Sequence, residues 1–164
     1  CNPSLLIADE PTTALDVTVQ AQILDLLHRL QQKNNMGMIF ITHDLSVVSS
    51  IAHRVVVMYG GHVVEICRVD DLIQRPLHPY TEALLKSLPT NLSNRQERLN
   101  TIKGSPPRTG ERFSGCRFHS RCNYANDQCR QNAPELVNDT HSDSRAVRCF
   151  YPLTKTTVSY AGHD

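Results

Sequence analysis

The stretch LLIADEPTTALD, residues 5–16, decides the fold of the first part of the chain. It opens with a short continuous apolar run, which is typical of a strand buried on both faces of a parallel sheet. Two adjacent carboxylates, Asp9 and Glu10, follow this run. A second apolar run, residues 38–41, ends just before His43. Because open α/β sheets bind ligands at the carboxyl ends of their strands, the two runs predict one shared site.

The segment between these runs has the pattern of an amphipathic helix. Apolar residues recur at helical spacing over residues 17–33, with polar residues between them. Asp16 stands at a good N-cap position. A strand, a helix and a strand in about 40 residues predict a βαβ unit.

Further helices and a hairpin are predicted after the second run. Residues 45–52 and 70–74 favour short helices. The runs 54–59 and 62–66 flank a Gly-Gly pair, which is a strong hairpin signal. Another helix is predicted from Pro79 to the proline at position 89.

The pattern changes after residue 89. Residues 90–110 are polar and contain prolines and glycine, which predicts a linker. Residues 113–152 show little periodicity and few aliphatic residues, so we expect another part of the chain to hold them. The predicted division is a partial first domain (1–67), a helical and linker part (68–112), a cysteine-rich segment (113–152) and a tail (153–164).

Composition narrows the function classes. The 164 residues include 17 basic and 16 acidic residues, a net charge of +1, which argues against bulk nucleic-acid binding. No stretch reaches the roughly 20 apolar residues of a membrane helix. No signal-peptide pattern is present. An apolar strand begins within a few residues of Cys1, which favours a chain cut from a longer one and predicts an incomplete sheet with an exposed first strand.

The acid pair and the histidine suit phosphoryl transfer to water, which needs a magnesium ion, an oriented water and charge stabilisation. Asp9 suits the magnesium shell and Glu10 suits polarising the water. His43 suits a hydrogen bond to the γ-phosphate or to the water. Acid pairs after apolar runs are commonly ordinary strand ends or caps, but their ordered combination with the histidine on the next strand is more specific.

Residues 4–67 resemble the C-terminal half of an ATP-binding cassette (ABC) ATPase. Residues 5–10 resemble the Walker B strand with its glutamate, 13–16 the D-loop, and 41–44 the switch-histidine loop. The resemblance implies an α/β fold, namely the C-terminal half of a P-loop NTPase parallel sheet with a β-hairpin and an irregular cysteine-rich extension. The sequence contains no G-x-x-x-x-G-K-[ST] phosphate loop, glutamine loop or Leu-Ser-Gly-Gly signature. We therefore expect weak or absent ATP binding, and no hydrolysis, by this chain alone.

The same resemblance assigns roles to four residues. It implies that Glu10 is the catalytic base and His43 the γ-phosphate sensor. Asp9 would be the magnesium carboxylate, and Asp16 would couple the two sites of a head-to-tail dimer. The implied cofactors are ATP and Mg²⁺.

Four of the six cysteines lie within 34 residues: Cys116, Cys122, Cys129 and Cys149. They could be inert thiols, disulfides, a zinc site or the ligands of an iron–sulfur cluster. A cytosolic chain disfavours disulfides, and the short C-x2-C spacing that favours zinc is missing. The spacings also match neither common ferredoxin pattern. Spacing alone leaves zinc and iron–sulfur about even.

A second resemblance bears on these cysteines. Residues 77–81, 83–85, 104–107 and 115–122 resemble the C-terminal extension of the ATPases of dipeptide, oligopeptide and nickel importers, with the Sap-type antimicrobial-peptide branch also a candidate. The resemblance implies a [4Fe–4S] cluster on the four cysteines of residues 116–149, and zinc stays the alternative.

The two resemblances together predict the energy-coupling ATPase subunit of a bacterial peptide importer. Such a subunit lies on the cytoplasmic face of the inner membrane, bound to permease transmembrane subunits. It pairs with a second ATPase subunit, and an extracytoplasmic binding protein delivers the substrate. The alternative is a non-catalytic four-cysteine module for metal binding or interaction. The sequence does not name the transported molecule.

Overall fold

The computed structural model describes residues 3–88, 101–108, 110–139 and 142–153. The chain divides into two compact units, Cys1–His53 and Arg54–Asp164, here called the α/β unit and the cysteine unit. The domain boundaries predicted from the sequence stay predictions. Part of the predicted linker, and all of the tail after residue 153, lie outside the described residues.

The α/β unit has the predicted strand–helix–strand order. Strand β1 (Leu5–Asp9) pairs in parallel with β2 (Gly37–Ile41), and helix α1 (Val17–Asn34) connects them. Helix α2 (Leu45–Ile51) follows. Helix α1 ends at Asn35, whose left-handed conformation (φ 47°) lets its N–H bond back to the last turn.

Apolar side chains of the α/β unit are widely exposed. Ile7 of β1 is 62% exposed and Ile39 of β2 is 48% exposed. Helix α1 buries none of its residues. Within the described residues, the buried apolar residues of this unit are Ala8, Met36 and Val47. The expected exposure of the first strand is confirmed, while the incompleteness of the sheet stays a prediction.

The cysteine unit begins with the predicted hairpin. Strands β3 (Arg54–Tyr59) and β4 (His62–Arg68) pair antiparallel. Both turn residues, Gly60 and Gly61, have positive φ (55° and 82°), which glycine adopts without the steric cost that other residues meet. The helices of this unit are α3 (Val69–Gln74), α4 (Pro79–Lys86), a 3₁₀ turn (His119–Arg121) and α5 (Asp127–Gln131).

The structure differs from the sequence prediction near the end of the cysteine-rich segment, which was expected to be irregular. Strands β5 (Val137–Asp139) and β6 (Ser142–Val147) extend the hairpin into a four-stranded sheet in the order β3-β4-β6-β5. The register pairs Glu65 with Val147. The sequence of β6 is mostly polar, so it does not predict a strand. Its arginine is buried in the sheet, and the partner of that arginine lies far away in the chain.

That partner is a buried carboxylate. Glu65 is 0% exposed and Arg145 is 3% exposed, and Arg145 Nη2 lies 3.3 Å from Glu65 Oε1. Glu65 also accepts hydrogen bonds from the backbone N–H groups of Leu77 and His78, both at 2.9 Å. Buried charges are tolerated when they are paired and hydrogen-bonded, as the Glu65 carboxylate is. Within the described residues, the buried Nε of Arg145 has no hydrogen-bond partner. The pair therefore ties β6 to β4 and to the loop before α4.

An aromatic cluster holds the cysteine-rich segment against the hairpin and α4. The Phe118 ring, 2% exposed, lies 5.1 Å from the Tyr59 ring and 5.4 Å from the Tyr80 ring. The His78 ring lies 6.0 Å from it. These contacts supply the apolar partner that the segment, with its few aliphatic residues, needs.

Candidate functional site

The carboxyl ends of β1 and β2 lie side by side. Asp9, the exposed last residue of β1, is in register with Ile41, the last residue of β2. The Glu10 N–H donates to the Ile41 carbonyl at 2.9 Å, which continues the pairing by one residue. The predicted convergence of the two strand ends is therefore confirmed, because parallel pairing leaves both ends at one edge of the sheet.

Glu10 occupies a conformation that non-glycine residues seldom adopt. Its φ is +45°, in the left-handed region. The turn that follows is closed by a hydrogen bond from the Thr13 N–H to the Glu10 carbonyl at 3.1 Å, with Pro11 at the second position that proline favours. Strain of this kind clusters at functional sites, since the surrounding structure must hold it.

Two side chains hold the Glu10 carboxylate. His43 Nδ1 lies 3.1 Å from Oε1, and the Thr13 hydroxyl donates to Oε2 at 3.1 Å. The hydrogen bond from His43, and next the one from Thr13, lower the pKa of Glu10 below its usual value. The carboxylate is therefore ionised at neutral pH and open to solvent, as a general base must be.

The contact between Thr13 and Glu10 was not predicted from the sequence. The spacing of the two residues could have indicated it, because a hydroxyl three residues after a carboxylate can reach back to it across a tight turn.

Asp16 has a structural role of its own. Its carboxylate accepts a hydrogen bond from the Val19 N–H at 2.9 Å and caps α1, as the sequence predicted. The equivalent position before α2 is taken by Asp44, which accepts from the Ser46 N–H at 2.9 Å. The coupling of two sites through Asp16 stays a prediction.

The four cysteines predicted as ligands line one small cavity of about 20 Å³ in the cysteine unit. Cys116 and Cys129 are joined directly, because the Cys116 N–H donates to the Cys129 carbonyl at 2.8 Å. Phe118 and Phe150 also line the cavity. Gly115 permits this close approach, since a side chain there would collide with the carbonyls of residues 129 and 130.

The environment of three of these thiols, those of Cys116, Cys122 and Cys149, favours the protonated form. Burial, and then the neighbouring cysteines, raise the pKa of Cys149 to about 11, and burial also raises the pKa of Cys116 and of Cys122. A metal ion or cluster bound there would have to displace these protons.

The described residues do not form a set of metal ligands. Across the described ranges, no group of three or more His, Cys, Asp or Glu side chains is arranged to hold a metal ion. All five described cysteines are free thiols, so none of them forms the disulfides left open by the sequence. The fifth, Cys67, is fully buried in β4.

Two arginines that flank these cysteines contact the rest of the unit. Arg117 donates to the carbonyl of Gly60 in the hairpin turn. Arg121 donates to the Tyr59 hydroxyl at 3.2 Å and to the carbonyl of Lys103 at 2.9 Å. The cavity wall is thereby joined both to the hairpin and to the described stretch 101–108.

Membrane-spanning segments were sought among the helices of the described residues. None of these helices combines the length and the apolar character needed to cross a bilayer.

Comparison with known proteins finds relatives whose similarity spans both units. Residues 64–129 match the model of the oligopeptide/dipeptide transporter C-terminal region. The chain is 57% identical over 150 residues to the oligopeptide transport ATP-binding protein AppD of Bacillus subtilis (strain 168), covering 92% of this chain and 45% of AppD.

Two further relatives are dipeptide transport ATP-binding proteins named DppD. That of Escherichia coli (strain K12) is 50% identical over 153 residues, covering 93% of this chain and 46% of the relative. That of Haemophilus influenzae is 48% identical over 164 residues, covering 99% and 48%. The chain thus spans about half the length of the relatives that it matches.

The matched C-terminal region and these relatives support a fragment of the class of ABC ATP-binding proteins. Within that class, the chain is similar to the oligopeptide and dipeptide transport ATP-binding proteins.

Proposed function

We propose that this chain forms the carboxyl-terminal part of the ATP-hydrolysing subunit of a bacterial peptide importer. The observation that carries the proposal is the contact between Glu10 and His43 at the ends of adjacent parallel strands. Relatives described as oligopeptide and dipeptide transport ATP-binding proteins support it. The parallel pair β1–β2 would then belong to the larger sheet of a P-loop NTPase.

The chemistry follows from the placement of the side chains. Asp9, exposed at the end of β1, would hold Mg²⁺ through water, and the ion would neutralise charge on the phosphates of ATP. Glu10 would orient and deprotonate the attacking water. His43, hydrogen-bonded to Glu10, would sense the γ-phosphate from the neighbouring strand end. Another segment or chain would supply the phosphate-binding loop, because this sequence contains none.

The partners follow from the same family. We propose that the subunit binds the cytoplasmic face of two permease subunits and works as a dimer with a second ATPase subunit. Asp16 would contribute at that dimer interface while it caps α1. An extracytoplasmic binding protein would deliver the peptide.

A chimera tests the ATPase proposal. In it, this chain replaces the matching 150 residues of AppD. We expect ATP hydrolysis that falls by roughly 100-fold or more in Glu10→Gln, because the general base is lost. The matched control is Asp25→Asn on α1, which removes an exposed carboxylate that pairs with Arg29. Hydrolysis that is absent, or equal in the two variants, would overturn the proposal.

We also propose that the four cysteines around the cavity, Cys116, Cys122, Cys129 and Cys149, hold a [4Fe–4S] cluster, with zinc as the alternative. Their convergence and the donor chemistry support this, since both groups take four thiolates. Either group would stabilise the cysteine-rich segment, which is poor in aliphatic residues, because its four bonds would cross-link distant parts of the chain.

Metal analysis of the full chain tests this second proposal. After anaerobic reconstitution with iron and sulfide, we expect a brown protein with a thiolate-to-iron absorption band, and loss of both in Cys122→Ser. Cys67→Ala is the control, because Cys67 lies in β4 and does not line the cavity. A colourless protein with one zinc per chain selects zinc, and a chain without either metal overturns both.

A non-catalytic module built on the cysteines is the second candidate function. The observation in its favour is that the cysteine unit buries its own aromatic cluster and carries the cavity. Metal binding together with an inactive chimera would favour this reading.

A further inference from the structure

The Glu10 carboxylate is held from two sides, and the proposed chemistry uses only one of them. His43 faces Oε1, and the Thr13 hydroxyl faces Oε2, each at 3.1 Å. We propose that Thr13 is a positioning residue, whose hydroxyl hydrogen bond orients the Glu10 carboxylate toward His43. The kinetic consequence rests on the proposed ATPase function, whereas the contact itself is a property of this chain.

Two hydrogen bonds are needed because the last torsion of a glutamate is soft. The terminal torsion of such a carboxylate is broad rather than confined to narrow wells. One bond, from His43 alone, would leave the plane of the carboxylate free to turn about that contact. A second bond to the other oxygen fixes the plane, so that Oε1 stays directed toward His43.

The backbone makes Thr13 a rigid donor. Its N–H closes the turn on the Glu10 carbonyl at 3.1 Å, and the Leu15 N–H bonds the Thr12 carbonyl at 3.3 Å. Thr12, at the centre of this turn, is only 8% exposed. Ala14 takes a left-handed conformation (φ 63°), which reverses the chain after Thr13. The same turn therefore fixes both the acceptor and the donor of the side-chain bond.

The residue type matches this role. Branching at Cβ stiffens the side-chain torsion of threonine, so its hydroxyl stays where the turn places it. Valine keeps this shape without the hydroxyl, and serine keeps the hydroxyl with more torsional freedom. The two substitutions consequently separate the hydrogen bond from the packing of the side chain.

The first experiment uses the full 164-residue chain. The ¹⁵N NMR signal of His43 Nδ1 reports its hydrogen bond to Glu10 in wild type, Thr13→Val and Thr13→Ser. We expect the valine variant to move this signal toward that of an unbonded imidazole, and the serine variant to leave it near wild type. An unmoved signal in the valine variant would overturn the proposal. Thr18→Val, at an exposed position of α1, is the control.

The second experiment measures kinetics in the AppD chimera. We expect Thr13→Val to lower kcat by about 3- to 10-fold, the worth of one hydrogen bond, with the KM for ATP unchanged. Thr13→Ser should recover most of the rate. Equal losses in both variants, or a change confined to KM, would contradict positioning. If the chimera shows no Glu10-dependent hydrolysis, the ATPase proposal fails, and the imidazole signal alone decides the role of Thr13.

Discussion

The α/β unit and the cysteine unit differ in how they bury their side chains. The α/β unit has continuous aliphatic runs, yet Ile7 and Ile39 are about half exposed or more. The cysteine unit has few aliphatic residues after position 89, yet Phe118 and Val147 are each only 2% exposed. The apolar content of a segment therefore does not show whether its core is complete, because burial depends on what packs against it.

The two units also treat their charges differently. In the α/β unit the pair Asp25–Arg29 lies on the surface of a helix, with 60% and 69% of the side chains exposed. In the cysteine unit the pair Glu65–Arg145 is buried and spans 80 positions of the chain. An exposed ion pair contributes little to the free energy of unfolding. Removing one partner of a buried pair lowers that free energy strongly, because the other charge stays buried.

The largest expected effect comes from breaking the buried pair. Arg145→Met should destabilise the cysteine unit by about 3–5 kcal/mol, because the Glu65 carboxylate stays buried without its partner. Arg29→Met should cost no more than about 0.5 kcal/mol. Tyrosine fluorescence follows the Arg145 variant, since all five tyrosines fall within residues 54–164 and the chain has no tryptophan. Circular dichroism at 222 nm follows the Arg29 variant, because Arg29 lies in helix α1. Equal losses in urea unfolding would contradict the distinction between the two pairs.

A smaller effect should come from acid. Burial lowers the pKa of His78 to about 4, against 6.5 for an ordinary histidine, so the unfolded chain binds the proton more tightly. Its contribution is complete above pH 6.5 and is lost as the pH falls toward 4. The slope should approach 1.4 kcal/mol per pH unit, or roughly 3 kcal/mol in all.

The matched variant for this titration is His78→Asn. The Nδ1 atom of His78 accepts from the Tyr80 N–H and caps α4, and asparagine can keep that cap without titrating. Urea unfolding followed by tyrosine fluorescence at several pH values should show a flatter pH dependence in the variant. An unchanged slope would assign the acid sensitivity to other groups.

The smallest effect concerns the cap of α1. Asp16→Ala should destabilise the helix by about 1 kcal/mol, because the Val19 N–H loses its acceptor, while Asp16→Asn should be nearly neutral. Circular dichroism at 222 nm during thermal unfolding measures the difference, since α1 is the longest of the described helices. If both variants melt like wild type, the cap contributes nothing to stability. If Asp16→Asn alone abolishes ATP hydrolysis in the AppD chimera, the Asp16 charge has a coupling role.

Local elements were predictable because their signals are short-range. Helix α1 was expected over 17–33 and is found at Val17–Asn34 with the predicted cap. The hairpin was visible in its Gly-Gly pair, because positive φ at both positions suits a two-residue turn. The meeting of Glu10 and His43 followed from parallel strands alone, since their carboxyl ends must lie at one edge.

Other features were hidden because their partners are distant in the chain. Strand β6 carries a polar sequence, and only Glu65 makes its arginine a core residue. The cavity formed around the four cysteines depends on Phe118 packing against the hairpin and α4, which spacing between thiols does not encode.

The sequence by itself determined the order of the chemistry: an acid pair, a helix, a histidine and then four thiols. Hydrophobic periodicity and turn residues act over a few positions, so they can be read without a fold. Only the tertiary structure decided which carboxylate oxygen faces Thr13 and which charge lies buried beside β6. These contacts depend on the packing of distant segments, whose geometry is set once the chain has folded.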